Sequence, residues 1–239
     1  MVVWNFDIGS EGPYDTSAVL AADIDDDGDL DLVSIFHHGL AWYENADGTG
    51  IFGTPQQISV GGEDVCAADV DGDGDLDLAS GGSGETVALH ENTDGKGAFR
   101  SEQVVSSLVA GTRSIYSADI NGDGHMDLAS ASSIDSKLAW YENIIEDTSF
   151  GNQHVIRTDP INTIYSVSAG DIDGDGDVDL VGDFGASMAY AWYKNIDGKG
   201  TFEKQQIAII QHDASTETVV ADVDGDTDLD VLISFVSGN

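Results

Sequence analysis

Five copies of an aspartate-rich loop recur along these 239 residues, and each runs into a short apolar stretch. They are Asp23-Ile-Asp-Asp-Asp-Gly-Asp-Leu-Asp31, Asp69-Val-Asp-Gly-Asp-Gly-Asp-Leu-Asp77, Asp119-Ile-Asn-Gly-Asp-Gly-His-Met-Asp127, Asp171-Ile-Asp-Gly-Asp-Gly-Asp-Val-Asp179 and Asp222-Val-Asp-Gly-Asp-Thr-Asp-Leu-Asp230. Their first aspartates stand 46, 50, 52 and 51 residues apart. A fixed period of this size marks a repeat architecture, in which each unit buries its apolar face against the next. It also places one hard-cation site in every repeat, so fold and chemistry come from the same motif.

Each period reads as four short strands. A run with small residues precedes the loop, as in Ala18-Val-Leu-Ala-Ala22 and Val65-Cys-Ala-Ala68, and suits a strand packed close to an axis. A second strand follows the loop, as in Leu30-Asp-Leu-Val-Ser34. A third carries Leu40-Ala-Trp-Tyr-Glu-Asn45, echoed by Val87-Ala-Leu-His-Glu-Asn92, Leu138-Ala-Trp-Tyr-Glu-Asn143 and Tyr190-Ala-Trp-Tyr-Lys-Asn195. Asp47-Gly48, Asp94-Gly95 and Asp197-Gly198 then supply the positive φ of a tight hairpin, while Glu146-Asp-Thr-Ser149 calls for a different turn. A fourth strand starts near Phe52, Phe99, Phe150 or Phe202.

No segment holds a helical period. Four antiparallel strands per period make one blade of a β-propeller. The expected fold class is therefore all-β: a single propeller domain over residues 1–239, with about five four-stranded blades. The last blade is incomplete and is expected to be closed by the N-terminal strand. Trp4 lies 19 residues before Asp23, much as Phe99 and Phe202 each lie 20 before the next loop, so residues 2–8 align with a fourth strand. The last blade would then lack its third strand, leaving either an imperfect closure or a chain that is part of a longer protein. Trp42, Trp140 and Trp192, with Leu89 in the equivalent place, suit sugar-stacking platforms or inter-blade packing; their recurrence at one strand position favours packing.

Positions one, three, five and nine of each loop offer side-chain oxygens. These are Asp23, Asp25, Asp27 and Asp31; Asp69, Asp71, Asp73 and Asp77; Asp119, Asn121, Asp123 and Asp127; Asp171, Asp173, Asp175 and Asp179; and Asp222, Asp224, Asp226 and Asp230. Position seven (Asp29, Asp75, His125, Asp177, Asp228) is expected to offer its carbonyl, which makes the histidine harmless there. Such an oxygen-rich, high-coordination set suits calcium, whereas magnesium demands tighter octahedral geometry. Up to five Ca2+ ions are expected. Glycine at position six allows a left-handed turn; the fifth loop has Thr227 there, so its site is expected to be the weakest. An EF-hand would need a bidentate Glu at position twelve, where Ser34, Ser80, Ser130, Gly182 and Ile233 stand instead.

Charge narrows the partners. Lys and Arg number 8 against 45 Asp and Glu, a net −37, which repels nucleic acid and anionic membranes and opposes compaction unless counter-charge is bound. A solvated acidic surface is the plainer reading, but most of the acid sits in the loops. Cys66 is the sole cysteine, so no intrachain disulfide is available, and its apolar setting suits a buried, inert thiol. No apolar run approaches a membrane span, and the first residues do not read as a signal peptide.

With these loops in view, the chain resembles the FG-GAP or VCBS repeats of integrin α-subunit propellers and of many secreted bacterial and algal proteins. The resemblance implies calcium loops joining strands one and two on one face. It implies partner binding on the other face, by loops joining strands two to three and four to one. It also implies an extracellular or other non-cytosolic setting, with any signal outside this chain. Family propellers commonly have seven blades, against five repeats here. On the partner face the implied residues are Tyr14, Phe36, His37, His38, Arg113, Tyr116, Tyr165, Asp183 and Phe184. His37 and His38, adjacent and without a third ligand, read as surface residues rather than a transition-metal site.

No Gly-x-Ser-x-Gly, phosphate loop or His-Glu-x-x-His appears, and the loops absorb most carboxylate pairs that a glycosidase would need, so no enzyme is expected. The leading expectation is a calcium-stabilised recognition propeller that binds protein or glycan. A structural or accessory subunit docked in a larger assembly comes second, and a lectin with sugar sites between blades third.

Overall fold

The structure, a computed structural model, describes residues 18–36, 39–82, 85–144, 149–159, 163–184, 189–209 and 214–236. Among these residues there are strands and turns but no helix. Four sheets of four antiparallel strands follow one another along the chain. The first comprises β1 (Ala18–Ala22), β2 (Asp31–Phe36), β3 (Gly39–Tyr43) and β4 (Gln56–Gln57). The second comprises β5 (Asp64–Ala68), β6 (Asp77–Gly81), β7 (Val87–His90) and β8 (Gln103–Ser106). The third is β9 (Thr112–Ala118), β10 (Asp127–Ser132), β11 (Lys137–Ile144) and β12 (Ser149–Thr158). The fourth is β13 (Ile164–Gly170), β14 (Asp179–Phe184), β15 (Ala189–Asn195) and β16 (Phe202–Ile209). A two-stranded sheet, β17 (Ala214–Ala221) and β18 (Asp230–Val236), ends the series.

Register is the same in every repeat. Ala22 pairs with Asp31, Ala68 with Asp77, Ala118 with Asp127, Gly170 with Asp179 and Ala221 with Asp230. Each acidic loop is thus the connection between the first and second strand of its sheet, as the repeat pattern predicted. Among the described residues, four four-stranded sheets have a form consistent with propeller-like blades. The fourth strands of the first two sheets start later than expected, at Gln56 and Gln103. Pro55 cannot donate to a ladder at the first, and at the second Phe99 makes only an isolated bridge to Asn92.

The core lies between successive sheets. Ile24, Val33, Leu40 and Trp42 of the first repeat pack with Val65 and Leu78 of the second. Val70, Val87 and Leu89 of the second meet Ile115, Leu128 and Tyr141 of the third. Leu138 and Trp140 of the third meet Ile164, Leu180 and Tyr193 of the fourth. Trp42 and Trp140 are 2% and 4% exposed, and Gly97 and Gly200 of the following repeats press so close to their rings that a Cβ would collide with them. Neither indole has a free face for a sugar. Cys66 packs at the edge of the middle cluster, where burial pushes its thiol up to about 12, the inert state expected.

First strands stand beside one another in chain order, β1 by β5, β5 by β9, β9 by β13 and β13 by β17. Side chains rather than a ladder link them. Asp64 accepts from the Ile115 amide at 2.9 Å, Ser166 Oγ from the Thr218 amide at 2.9 Å and Ser168 Oγ from the Val220 amide at 3.2 Å. The expected N-terminal closing strand falls on residues 2–8, outside the described residues, as do Tyr14, His37 and His38.

Candidate metal centres

Within each loop the carboxylates are held by the loop's own amides. Position one bridges two of them: Asp23 accepts from Asp27 and Gly28, Asp119 from Asp123 and Gly124, Asp171 from Asp175 and Gly176, at 2.9–3.1 Å. Asp69 accepts from Gly72 and Gly74, and Asp222 from Gly225 and Thr227. Position five then accepts from the position-seven amide, as Asp73 does from Asp75 and Asp226 from Asp228. These bonds fold each loop back on itself, so that its position-one carboxylate meets amides three to five residues further on.

Position nine anchors the loop to the sheet. Asp77 accepts from the Val70 amide at 3.1 Å and the Asn92 amide at 2.8 Å; Asp31, Asp127 and Asp179 do the same with Ile24 and Asn45, Ile120 and Asn143, Ile172 and Asn195. All four are buried. Burial pushes the Asp77 and Asp127 carboxyls up to about 6, partly opposed by these amides. Among the described residues Asp230 accepts from the Val223 amide alone, at 3.2 Å, and is exposed.

Three carboxylates converge to within 4.8 Å in four loops: Asp23, Asp25 and Asp27; Asp69, Asp71 and Asp77; Asp171, Asp173 and Asp179; Asp222, Asp224 and Asp230. The third loop has Asn121 at position three, so it carries one carboxylate fewer. The all-oxygen donor sets suit a hard cation. Asp25 Oδ1 fits the same reading, since it is buried with no hydrogen-bond partner. Burial, then the neighbouring Asp31, Asp27 and Glu44 charges, raise the Asp25 carboxyl above its ordinary value. These Asp clusters are capable of holding metal ions.

Backbone geometry explains the glycines and adds a position that the sequence pattern hides. Position six lies at φ 92, 99, 91 and 94° in Gly28, Gly74, Gly124 and Gly176, and Thr227 is forced to 80°. Position four is also left-handed, at Gly72, Gly122, Gly174 and Gly225, with Asp26 taking its place at 57°. Asp tolerates that region; a β-branched residue does so only under strain. The position-seven carboxylates of Asp29, Asp75 and Asp177 lie against Gly48, Gly95 and Gly198 of the hairpins that follow the third strands.

A second set of charges went unread in the sequence. The residue before each third-strand asparagine faces position three of its loop. Asn121 Nδ2 donates to Glu142 at 3.3 Å, and Glu44 and Glu91 act on Asp25 and Asp71. In the fourth repeat the residue is Lys194, which hydrogen-bonds Asp173 and reaches Asp175 at 2.9 Å. Its donated bond holds the Asp175 carboxyl below the usual range. A charged side chain recurring in an otherwise apolar strand was the signal.

At the other end of the first strands, a polar cavity of about 440 Å³ is lined by residues from β1, β9, β13 and β17, with Asp64 at the start of β5 and Glu63 just before it. Arg113 and Tyr165, both expected on the partner face, meet there with Glu63, Asp64 and Glu217. Arg113 pairs with Glu63 at 3.4 Å, and burial raises the Asp64 carboxyl. Phe36 and the Asp183–Phe184 backbone end second strands at this same end. Tyr116 lies further along β9, half-buried against the core.

The family model for FG-GAP-like repeats matches residues 23–80, 69–130 and 119–182. The chain belongs to that family. Comparison with curated protein sequences returns no match. Among solved structures, the chain is similar to an Agrocybe aegerita lectin described as recognising non-reducing terminal N-acetylglucosamine. That likeness has 20% identity and a TM-score of 0.63, covering 92% of this chain and 60% of the other. It is also similar to the V. cholerae biofilm matrix protein Bap1, at 18% identity and a TM-score of 0.50, over 91% of this chain and 34% of the other. The chain thus spans less than two thirds of the length of these structures, and at such identities the likeness concerns the fold. No described helix is long and apolar enough to cross a membrane.

Proposed function

We propose that this chain is a calcium-stabilised recognition propeller of a non-cytosolic compartment, binding a protein or a glycan without catalysis. The observation that carries the reading is the recurrence of converging carboxylate triads in four loops at one end of the sheets. Five bound calcium ions would bring the net charge from −37 to −27 and relieve repulsion inside each loop. The opposite cavity, with Arg113 and Tyr165 among acids, supports recognition at the end away from the metal. The buried Trp42 and Trp140 speak against inter-blade sugar platforms at those positions.

Extracellular calcium sites bind at roughly 10⁻⁴–10⁻³ M, and tenfold excess over Kd adds about 1.4 kcal/mol per site. Chelation is therefore expected to lower the melting temperature markedly, and an unchanged melting curve in EDTA overturns the calcium reading. A glycan array and a pull-down, each run with calcium and with chelator, test recognition; Arg113→Ala is expected to abolish any ligand they find. The docked-subunit reading draws on the last sheet, where Val219 and Leu232 are 43% and 41% exposed. A stable complex recovered without glycan dependence would favour it.

A further inference from the structure

The first four loops share the same curl of backbone, yet the side chain facing position three differs in sign. It is Glu44, Glu91 and Glu142 in the first three repeats and Lys194 in the fourth. All four stand immediately before the buried asparagine that ties the loop to its sheet, so the backbone delivers them to the same place. In the fourth repeat the Lys194 ammonium bonds Asp173 and lies 2.9 Å from Asp175, positions three and five of the loop. Asp173 is also a member of the triad with Asp171 and Asp179.

We propose that Lys194 is a tethered counter-ion that closes the fourth loop to calcium under conditions that fill the first and second. This inference rests on the calcium reading above and divides the loops into two kinds. An ammonium hydrogen-bonded to two of the carboxylates occupies lone pairs that a divalent ion needs. A cation entering the loop must also displace that charge or sit beside it. The glutamates of the first three repeats do the opposite, adding negative charge beside position three. The fourth loop, complete in its aspartates and glycines, is thereby a weaker calcium site than the third, which lacks one aspartate. Lys194 also gives the fourth loop charge balance without metal, so part of the chain stays neutralised when calcium falls.

Native mass spectrometry of the full chain across a calcium titration counts the ions bound. Lys194→Glu, which restores the residue of the first three repeats, is expected to take up one more ion at low calcium than the unaltered chain. Equivalently, it tightens one site by about tenfold or more. Adding Asp173→Asn to Lys194→Glu is expected to remove that gain, which assigns the ion to the fourth loop. The reciprocal Glu44→Lys is expected to lose one ion from the first. Lys194→Met, which removes the charge and keeps the stem, gives the same gain if the glutamate variant fails to fold. Equal stoichiometry and affinity in the unaltered chain, Lys194→Glu and Lys194→Met overturn the proposal while leaving the calcium reading standing. Absence of uptake by every form overturns both.

Discussion

The second and fifth repeats spell almost the same loop, at residues 69–77 and 222–230, and hold it differently. In the second, Asp77 is fully buried and bonded to the amides of Val70 and Asn92. In the fifth, Asp230 is exposed and, among the described residues, bonded to Val223 alone. The amide without a counterpart there is that of Asn92, two residues past the end of β7 and 15 positions beyond Asp77; among the described residues the fifth repeat has only β17 and β18. Loop sequence alone thus shapes the ligands at positions one, three and five, while the one at position nine is fixed by the residue just beyond the third strand of the sheet. What distinguishes a rigid from a loose site lies outside the motif.

The largest effect expected from testing this contrast comes at the hairpin after the third strand. A Cβ at Gly97 would overlap the Trp42 ring of the preceding repeat, at a φ of +80°. At Gly225, also at +80°, it would meet nothing within 4 Å. Overpacking adds to backbone strain at the first and is absent at the second, so Gly97→Ala is expected to cost about 3–4 kcal/mol and Gly225→Ala about 1. Equal shifts in urea midpoint would mean that the hairpin does not carry the coupling between repeats.

Next in size is Asn92→Ala. Its amide nitrogen donates to the Ile24 carbonyl of the first repeat at 2.9 Å, and its oxygen accepts from the Gly97 amide at 3.0 Å. Truncation leaves the Ile24 carbonyl buried and unpaired and the part-buried Gly97 amide without its acceptor, at an expected cost of about 2–3 kcal/mol by urea titration. The same latch recurs from Asn143 to Val70 and from Asn195 to Ile120. A cost below that of an ordinary surface substitution would show that the latch is not a structural link between neighbours.

The repeat pattern made most of this legible. Apolar alternation around a turn motif located the first three strands of the repeats to within a few residues, because one buried face demands one register. The indoles were read as packing for the same reason. The fourth strands of the first two sheets were harder, since Pro55 and the isolated Phe99 bridge depend on local hydrogen bonding that hydrophobic pattern does not encode. The ligand set followed from spacing within nine residues. Lys194 and the glutamates at its equivalent positions did not, because their contact with the loop spans some twenty residues and depends on the fold. The cavity at the other end gathers residues from five repeats, and no local pattern announces such a convergence.

A smaller effect separates bound from unbound loops by pH. Asp77 and Asp127 titrate at about 6 when folded, raised chiefly by burial, against about 3.9 unfolded. Between these values the folded chain holds protons that the unfolded chain releases. In chelator the contribution is therefore fully present below about pH 4 and lost as pH rises through 6. The urea midpoint of the chelated chain is expected to rise as pH falls from 7 to 5. With saturating calcium the trend is expected to reverse, since the ion requires the ionised carboxylates. The same slope in both conditions would detach position nine from the metal.

The smallest expected effect returns to the fifth loop. Thr227 sits at φ 80°, where the first four loops place glycine, and its amide still donates to Asp222 at 3.1 Å. The strain is therefore held by the hydrogen bonds of the loop rather than relieved by a different turn. Replacing Thr227 by glycine removes a β-branched clash worth about 1 kcal/mol and adds backbone freedom to the unfolded chain, so the net gain is under about 1 kcal/mol. It falls on a repeat whose Asp230 is exposed and singly bonded, so it is expected to appear locally, as slower amide exchange in β17 and β18 and tighter calcium binding by one site. Gly74→Thr in the second loop is the converse, expected to loosen one site without unfolding the sheet, because a Cβ at Gly74 meets nothing within 4 Å. If neither substitution changes exchange or calcium affinity, the left-handed residue at position six is not what separates the two repeats, and the missing third-strand amide at Asp230 carries the difference alone.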